Sequence, residues 1–204
     1  MFYANPSTPG VRDAMRRGLL SAIVTPAQGN QIDGIADWCA DNGRFGRGWP
    51  GYARWGNWLR GLPQDGCAFA IAPDIPFNAA KTLRCAGPAL RFIRRLGFPA
   101  ALAAQNGLEN MVIPWDEFDV LFLGGDTAWK LGPAARQLAA DAHAKGKRVH
   151  MGRVNSLRRL RYADAIGCDS ADGTYLAFGP DENLPKLLGW LRDVNDQGTL
   201  WEAS

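Results

Sequence analysis

Short apolar runs recur along the chain, and most of them are separated by segments with helical periodicity. The runs are candidate strands at residues 1–5, 19–25, 36–41, 67–74, 99–105, 118–125, 148–153 and 164–170. The helical patterns fall at 9–17, 50–61, 77–96, 108–114, 127–145, 155–162 and 182–194. Strands that alternate with helices pair in parallel through right-handed crossovers, and about eight such units close a (β/α)8 barrel. The sequence therefore predicts an α/β fold, a compact (β/α)8 TIM barrel.

The length of the chain limits how such a barrel can be connected. Its 204 residues are few for a fold that typically takes about 250, and no linker or charge block divides them. We therefore expect a single domain over residues 1–204, with economical second and third connections and no proper helix at 26–35. An open doubly wound sheet is the alternative, but its usual glycine-rich phosphate loop is missing from the start of the chain.

The composition sets limits on location and on cofactors. No segment approaches the ~18 consecutive apolar residues that span a bilayer, and the opening MFYANPSTPG lacks the basic start and apolar run of a signal peptide. We therefore predict a cytoplasmic protein, in the host cytoplasm if a phage encodes it, with no membrane partner. The 4 cysteines stand singly and form no metal-binding knuckle. The sequence predicts reduced thiols, no metal site and no cofactor.

The basic residues point to a nucleic-acid partner. The net charge is only +3, but 18 of the 23 basic residues are Arg, whose planar guanidinium suits phosphate better than the Lys ammonium does. Several of them stand among tryptophans at 44–60, a composition typical of nucleic-acid surfaces, although solvated surface is the ordinary explanation. The candidate nucleic-acid contacts are Arg44, Arg47, Arg153, Arg158 and Arg159.

The predicted strand ends carry an unusual set of polar residues. In a (β/α)8 barrel the reactive groups sit at the carboxyl-terminal ends of the strands, where the loops converge. In chain order these ends carry Asn5, Thr25, Asp41, Asp74, Gln105, Gly124 with Gly125, Met151 with Arg153, and Asp169 with Asp172. Helix capping explains any one of them. Carboxylates of three separate strands that face one another raise one another's pKa, which costs stability unless function uses the arrangement.

The motifs at these ends resemble, in the same order, those of the tRNA-guanine transglycosylases and of their phage and bacterial relatives that insert 7-deazaguanines into DNA. The resemblance runs from about residue 36 to 173, through DNGRF, APDIPF, AAQNG, FLGGD, HMG and GCDSAD. It implies an acid/base role for Asp41, a nucleophile at Asp172 and a supporting carboxylate at Asp169. The implied base-binding residues are Phe45 and Met151 as walls, Asp74 on the guanine edge, and Gln105, Gly124 and Gly125 near the base carbonyl.

Departures from the family shape the functional prediction. The cysteine and histidine zinc site is missing, as is the glutamate that follows the G-G loop, where GGDTAWK stands instead. We therefore expect a base-exchange enzyme without the zinc subdomain, which replaces guanine in DNA by a free 7-deazaguanine-type base through a covalent aspartyl-glycosyl intermediate. The alternatives are a tRNA-guanine transglycosylase, a base-releasing N-glycosylase, and a non-catalytic barrel that binds purines or nucleic acid. A partner protein that supplies further DNA contacts is also left open.

Overall fold

The computed structural model describes residues 1–28, 32–46 and 48–199. Eight parallel strands form a closed barrel in which each strand pairs with its neighbours in the chain and the last returns to the first. The strands are β1 (Phe2–Ala4), β2 (Ser21–Val24), β3 (Trp38–Ala40), β4 (Cys67–Ile71), β5 (Ala100–Ala104), β6 (Val120–Leu123), β7 (Arg148–Met151) and β8 (Ser170–Asp172). The predicted single-domain (β/α)8 barrel is confirmed.

Helices cover the outside of the barrel. They are α1 (Pro9–Arg16), α2 (Tyr52–Arg60), α3 (Ala79–Arg95), α4 (Thr127–Lys130), α5 (Pro133–Ala144), α6 (Leu157–Ala165) and α7 (Pro180–Thr199). Several begin at a side-chain cap, because Thr8, Asn78 and Ser156 each accept a hydrogen bond from a backbone N–H of the first turn. Within the described part of the chain, no helix has both the length and the apolar character needed to cross a membrane.

Two apolar layers hold the barrel together. Side chains of alternate strand residues fill the interior, among them Tyr3, Ile23, Phe69 and Ile71. The intervening residues pack outward against the helices in a larger cluster that includes Trp38 and many alanines. Strands buried on both faces read as continuous apolar runs, which is why the runs were visible in the sequence.

In the described residues, two of the connections between strands contain no α-helix. Between β2 and β3, no helix forms over residues 25–28 and 32–37, as expected. The third connection, between β3 and β4, was expected to be short, but it contains the helix α2. The fifth connection, between β5 and β6, is the short one instead. In place of the helix predicted at 108–114 it contains a 3-10 turn at Leu108–Asn110, and a second 3-10 turn follows at Trp115–Glu117. The helix predicted at 127–145 divides into α4 and α5 where Gly132 and Pro133 interrupt it.

The last strand lies later in the chain than predicted. The run 164–170 was expected to be a strand, but Asp164 and Ala165 end α6, and β8 begins only at Ser170. The apolar Ile166 is 8% exposed and packs in the outer layer after the helix. Asp172 is therefore the last residue of its strand, whereas Asp169 precedes it.

Candidate functional site

The loops that begin at Asp41, Asp74, Gln105, Gly124 and Asp172 form the barrel mouth, at the carboxyl-terminal ends of the strands. In the first loop, the Asp41 carboxylate accepts a hydrogen bond of 2.7 Å from the Gly43 N–H. Gly43 has φ +76, and a Cβ there would approach a backbone oxygen at 3.0 Å. Burial raises the pKa of Asp41 to about 7, against the Gly43 hydrogen bond and with a further rise from the charges of Asp172 and Asp74. Asp41 can therefore give and take a proton near neutral pH.

Asp74 is a second buried carboxylate of the mouth, 7% exposed. Its two oxygens accept hydrogen bonds from Asn42 Nδ2 at 3.0 Å and from Gln105 Nε2 at 2.6 Å. Burial raises the pKa of Asp74 although these donors favour its charged form. Gln105 Oε1 accepts from the Phe77 N–H at 2.8 Å, so both ends of this amide are engaged. Gln105 thus holds Asp74 in place, which differs from the base-reading role that the resemblance implied.

Asp172 is held from inside the barrel by a histidine. Its Oδ2 lies 3.0 Å from His150 Nε2, and its Oδ1 accepts from the Arg153 N–H at 3.2 Å. His150 is 0% exposed, with Nδ1 2.8 Å from Ser170 Oγ and its ring stacked on Phe122 at 4.9 Å. The imidazole is therefore fixed in position and aimed at the carboxylate. The pattern of the sequence does not show this contact, because the register partner of His150 on β8 is Ser170, and Asp172 lies two residues further along that strand.

Two strained residues meet above the carboxylates. Among the described residues other than glycine, Phe77 and Arg153 have positive φ angles of 63° and 61°. The Arg153 guanidinium lies 4.3 Å from the ring centroid of Phe45 and 5.6 Å from that of Phe77. It also donates to the carbonyls of Gly124 and Gly125. Backbone strain of this kind concentrates at functional sites, so we add Phe77 to the residues of the mouth.

Met151 does not face the mouth. Its side chain is 1% exposed and packs in the outer layer, between the strands and the helices. The adjacent His150 occupies the interior instead, and successive side chains of a strand point to opposite faces. The expectation that Met151 forms a wall of the base pocket is wrong in this geometry, whereas Phe45, 57% exposed, lies open at the mouth.

The glycine loop is oriented differently from the prediction. The N–H groups of Gly124 and Gly125 both donate to the Ala104 carbonyl, at 2.9 and 3.1 Å. Neither amide is therefore free to bind a base carbonyl, as the resemblance implied. The loop instead offers its own carbonyls to Arg153, so it positions that side chain over Phe45.

Asp169 lies at the opposite end of the barrel from Asp172. Its side chain accepts from the Val149 N–H at 2.7 Å and lies 3.1 Å from His143 Nε2, and its carbonyl accepts from the amino terminus of Met1. Met1 precedes β1, and Val149 is the second residue of β7, so Asp169 lies at the amino-terminal end of the barrel. The predicted placement of Asp169 beside Asp172 is wrong, because Asp169 precedes β8 whereas Asp172 ends it.

The predicted nucleic-acid arginines are spread over the mouth and its edge. Arg44 Nε donates to the Asp74 carbonyl at 2.7 Å, and its guanidinium lies over Trp49 at 4.8 Å. Arg159 donates to the Arg153 carbonyl at 3.4 Å, and Arg158 beside it is exposed. Arg47 lies outside the described residues. Arg44, Arg153 and Arg159 thus approach the candidate site, whereas Arg158 makes no contact with it.

A buried lysine completes the mouth and was missed by the sequence reading. Lys130, 4% exposed, donates to the Gly152 carbonyl. Burial lowers the pKa of Lys130 to about 7, helped by the positive charge of Arg153 and opposed by the negative charge of Asp172. Lysine is an ordinary surface residue at the end of a helix, so no signal in the sequence marked this position. Within residues 1–28, 32–46 and 48–199, no group of three or more metal-ligating side chains forms a metal site.

We expect Lys130→Met to stabilise the protein at neutral and acid pH. An unfolded Lys titrates near ~10.4, so between about pH 7 and pH 10 the unfolded chain binds a proton that the fold rejects, and wild-type stability rises with pH there. Methionine removes this penalty, with a gain of about 1–4 kcal/mol below pH 7. Thermal unfolding from pH 6 to 10 should show a higher Tm for the variant that converges on wild type at alkaline pH.

The exposed Lys145 provides a matched control for this measurement. Lys145→Met should shift Tm little and equally at every pH. A Lys130→Met protein that is less stable than wild type at pH 6 would contradict the prediction, and would mean that the hydrogen bond to Gly152 outweighs the cost of the buried charge.

Comparison with known proteins supports the fold and goes no further. No protein-family model and no curated protein sequence matches the chain. Many solved structures are similar, among them a cube-shaped, highly porous protein cage designed by fusing symmetric oligomeric domains. That structure superposes with a TM-score of 0.58 at 14% identity, over 99% of this chain and 75% of the cage chain. At this identity the likeness shows a shared fold alone.

Proposed function

We propose that the protein is a guanine transglycosylase, which exchanges guanine in DNA for a free 7-deazaguanine-type base. The observation that carries this proposal is the meeting of Asp41, Asp74 and Asp172 at one barrel mouth, where burial, and to a smaller extent the charges of Asp172 and Asp74, raise the pKa of Asp41. Acidic groups crowded in this way cost stability, and enzymes use them for acid/base and nucleophilic work. The motif order of the family supports the same conclusion.

The first half-reaction forms a glycosyl-enzyme. An Asp172 oxygen attacks C1′ of the target nucleotide as the N-glycosidic bond to guanine breaks, and protonated Asp41 gives its proton to the departing base. The carboxylate stabilises the positive charge that develops on the sugar and then captures it as an ester. His150 and the Arg153 N–H fix both oxygens of Asp172, so the carboxylate is held in one orientation for attack.

The second half-reaction reverses these roles. The incoming base loses a proton to ionised Asp41, and its nitrogen attacks C1′ while the bond to Asp172 breaks. The carboxylate is thereby released and Asp41 is protonated again, so atoms and charges balance over the cycle. A group with a pKa of about 7 suits this alternation, because both of its forms are populated at neutral pH.

Base recognition falls to the remaining residues of the mouth. Ionised Asp74, oriented by Asn42 and Gln105, can accept from the two N–H donors on the guanine edge, a pairing that adenine does not offer. Phe45 supplies an exposed ring for stacking. The target nucleotide must leave its stack, which costs a few kcal/mol in a duplex, so we expect single-stranded DNA to react faster. The missing zinc motif favours DNA over tRNA.

The experiment that tests this function is a base-exchange assay. The protein is incubated with labelled guanine and either single-stranded DNA, duplex DNA or tRNA, and label in the polymer is counted after denaturation. Incorporation into DNA supports the proposal, and incorporation into tRNA alone would overturn the choice of substrate. Release of free guanine without incorporation would identify a hydrolase, and binding without either reaction would identify a non-catalytic barrel.

We expect His150→Phe to slow adduct formation by about 10²-fold. Phenylalanine preserves the packing against Phe122 but cannot hydrogen bond to Asp172. His150→Gln retains a donor and should recover most of the rate. Single-turnover adduct formation should therefore fall while the affinity for free base stays unchanged. Equal losses for both variants, or a loss of base binding, would indicate a purely structural histidine.

A further inference from the structure

A groove of about 440 Å³ runs between α2 and α3 on the outer surface. Its floor is formed by Trp55, Ala89 and Phe92, with the rings of Trp55 and Phe92 5.7 Å apart. Gly56 lies beside this floor, and a Cβ there would be in van der Waals contact with the Phe92 ring at 3.5 Å, so a larger side chain at this position would extend into the groove. The rim includes Tyr52, which is 50% exposed. Trp55 is only 4% exposed and belongs to the core, so the aromatic surface that the groove offers to solvent comes from Tyr52 and the half-buried Phe92.

The two helices that form the groove carry basic residues and no acidic ones. Arg60 lies across the groove with its guanidinium 4.9 Å from the ring centroid of Phe92. On α3, residues three and four apart share a face, so the exposed Lys81 and Arg84 lie on the side that carries Pro88. Aromatic floors beneath arginines are the composition with which proteins bind single strands, by stacking bases and pairing phosphates.

The groove is continuous with the barrel mouth. Tyr52, at its upper end, contacts Trp49 with ring centroids 5.1 Å apart. Arg44 stacks on Trp49 and donates to the Asp74 carbonyl. A chain of aromatic and arginine side chains thus leads from the guanine-reading carboxylate to the groove. The nine residues of α2 extend this path by about 13 Å.

We propose that the groove between α2 and α3 binds the single-stranded segment next to the target nucleotide. Bases of this segment stack on Tyr52 and Phe92, and its phosphates pair with Arg60 and Arg84. This inference rests on the proposed function, and it adds to that function the path that the single-stranded DNA follows away from the barrel mouth. A polyanion fits the groove better than an apolar partner helix does, because the rim is cationic and the helices carry no acidic residue.

The test measures binding of fluorescent single-stranded DNA, twelve nucleotides long with one central guanine, by anisotropy between 50 and 200 mM salt. The chain carries Asp172→Asn to prevent turnover. Adding Arg60→Glu and Arg84→Glu should weaken binding at least tenfold and reduce the slope of log K against log salt by about 1.4, because each phosphate contact on a single strand contributes about 0.7. Gly56→Leu, which fills the groove, should weaken binding without changing this slope.

Arg192→Glu provides the matched control, because Arg192 is exposed on α7 beside a different groove. It should bind DNA within twofold of the parent. The charge reversals lie at exposed positions, so the test does not depend on folding of the Gly56 variant. If the groove variants bind DNA as well as the control does, the proposed binding of DNA in the groove is wrong, whereas base exchange by the wild type would still support the proposed function. A wild type that neither binds DNA nor exchanges bases would overturn the proposed function itself.

Discussion

Asp172→Asn is expected to abolish the covalent adduct and lower base exchange by about 10⁴-fold or more. An amide oxygen is a poor nucleophile and does not neutralise the positive charge that develops on the sugar. The side chain keeps its size, so the loss reports chemistry. The adduct is measured by denaturing electrophoresis of the protein with labelled DNA, and exchange by incorporation of labelled guanine. DNA affinity should persist, which separates an enzyme from a simple binder.

The matched control for this variant is Asp169→Asn. The same residue type is changed three positions earlier, but at the amino-terminal end of the barrel, where Asp169 contacts His143 and the Val149 N–H. We expect the control to form the adduct at a rate close to wild type, with some loss of thermal stability. Loss of the adduct in the control and its retention in Asp172→Asn would reverse the assignment of the nucleophile.

The ring of strands was predictable because burial on both faces leaves continuous apolar runs, and an apolar run marks a parallel strand without further context. The same property hides the boundaries of β8. The run 164–170 was expected to be a strand, but Asp164 and Ala165 end α6, and the strand that follows has only three residues, Ser170–Asp172. A strand this short is stabilised by its neighbours β7 and β1, which is a tertiary effect that the local sequence does not contain.

The carboxylates of the site were predictable because each lies at the end of a strand or within three residues of it, and parallel strands bring their ends together. The orientation of neighbouring side chains was not. In β7 both faces are buried, so period-two alternation does not tell whether His150 or Met151 points inward. The register of β7 with β8 pairs His150 with Ser170, and Asp172, on the same face of β8, then lies within hydrogen-bond distance of His150. Lys130 was not predictable either, because its burial and its hydrogen bond to the Gly152 carbonyl join two segments that are distant in the sequence.

Asp41→Asn should lower both half-reactions by about 10²–10⁴-fold and remove their pH dependence. In the wild type, adduct formation needs protonated Asp41 and should decline as pH rises through about 7, whereas resolution of the adduct by the incoming base needs the ionised form and should decline as pH falls through about 7. Both rates change near pH 7 because burial and the nearby carboxylates raise the pKa of Asp41 to about 7. Single-turnover rates from pH 5 to 9 measure adduct formation and adduct resolution separately.

The stability of the same variant provides a readout that does not depend on catalysis. The pKa of Asp41 is raised from near ~3.9 in the unfolded chain to about 7 in the fold. Its proton therefore favours the folded state fully below pH 4, and this contribution is lost as pH rises through 7. Asparagine is never ionised, so Asp41→Asn should exceed wild type in Tm above pH 7 and lose that advantage toward pH 4. A different outcome is that the variant loses the decline of adduct resolution at acid pH without showing this change in stability. That outcome would mean that another group of the mouth carries the proton. Asp74, which is also buried and has a raised pKa, would then be the residue to substitute.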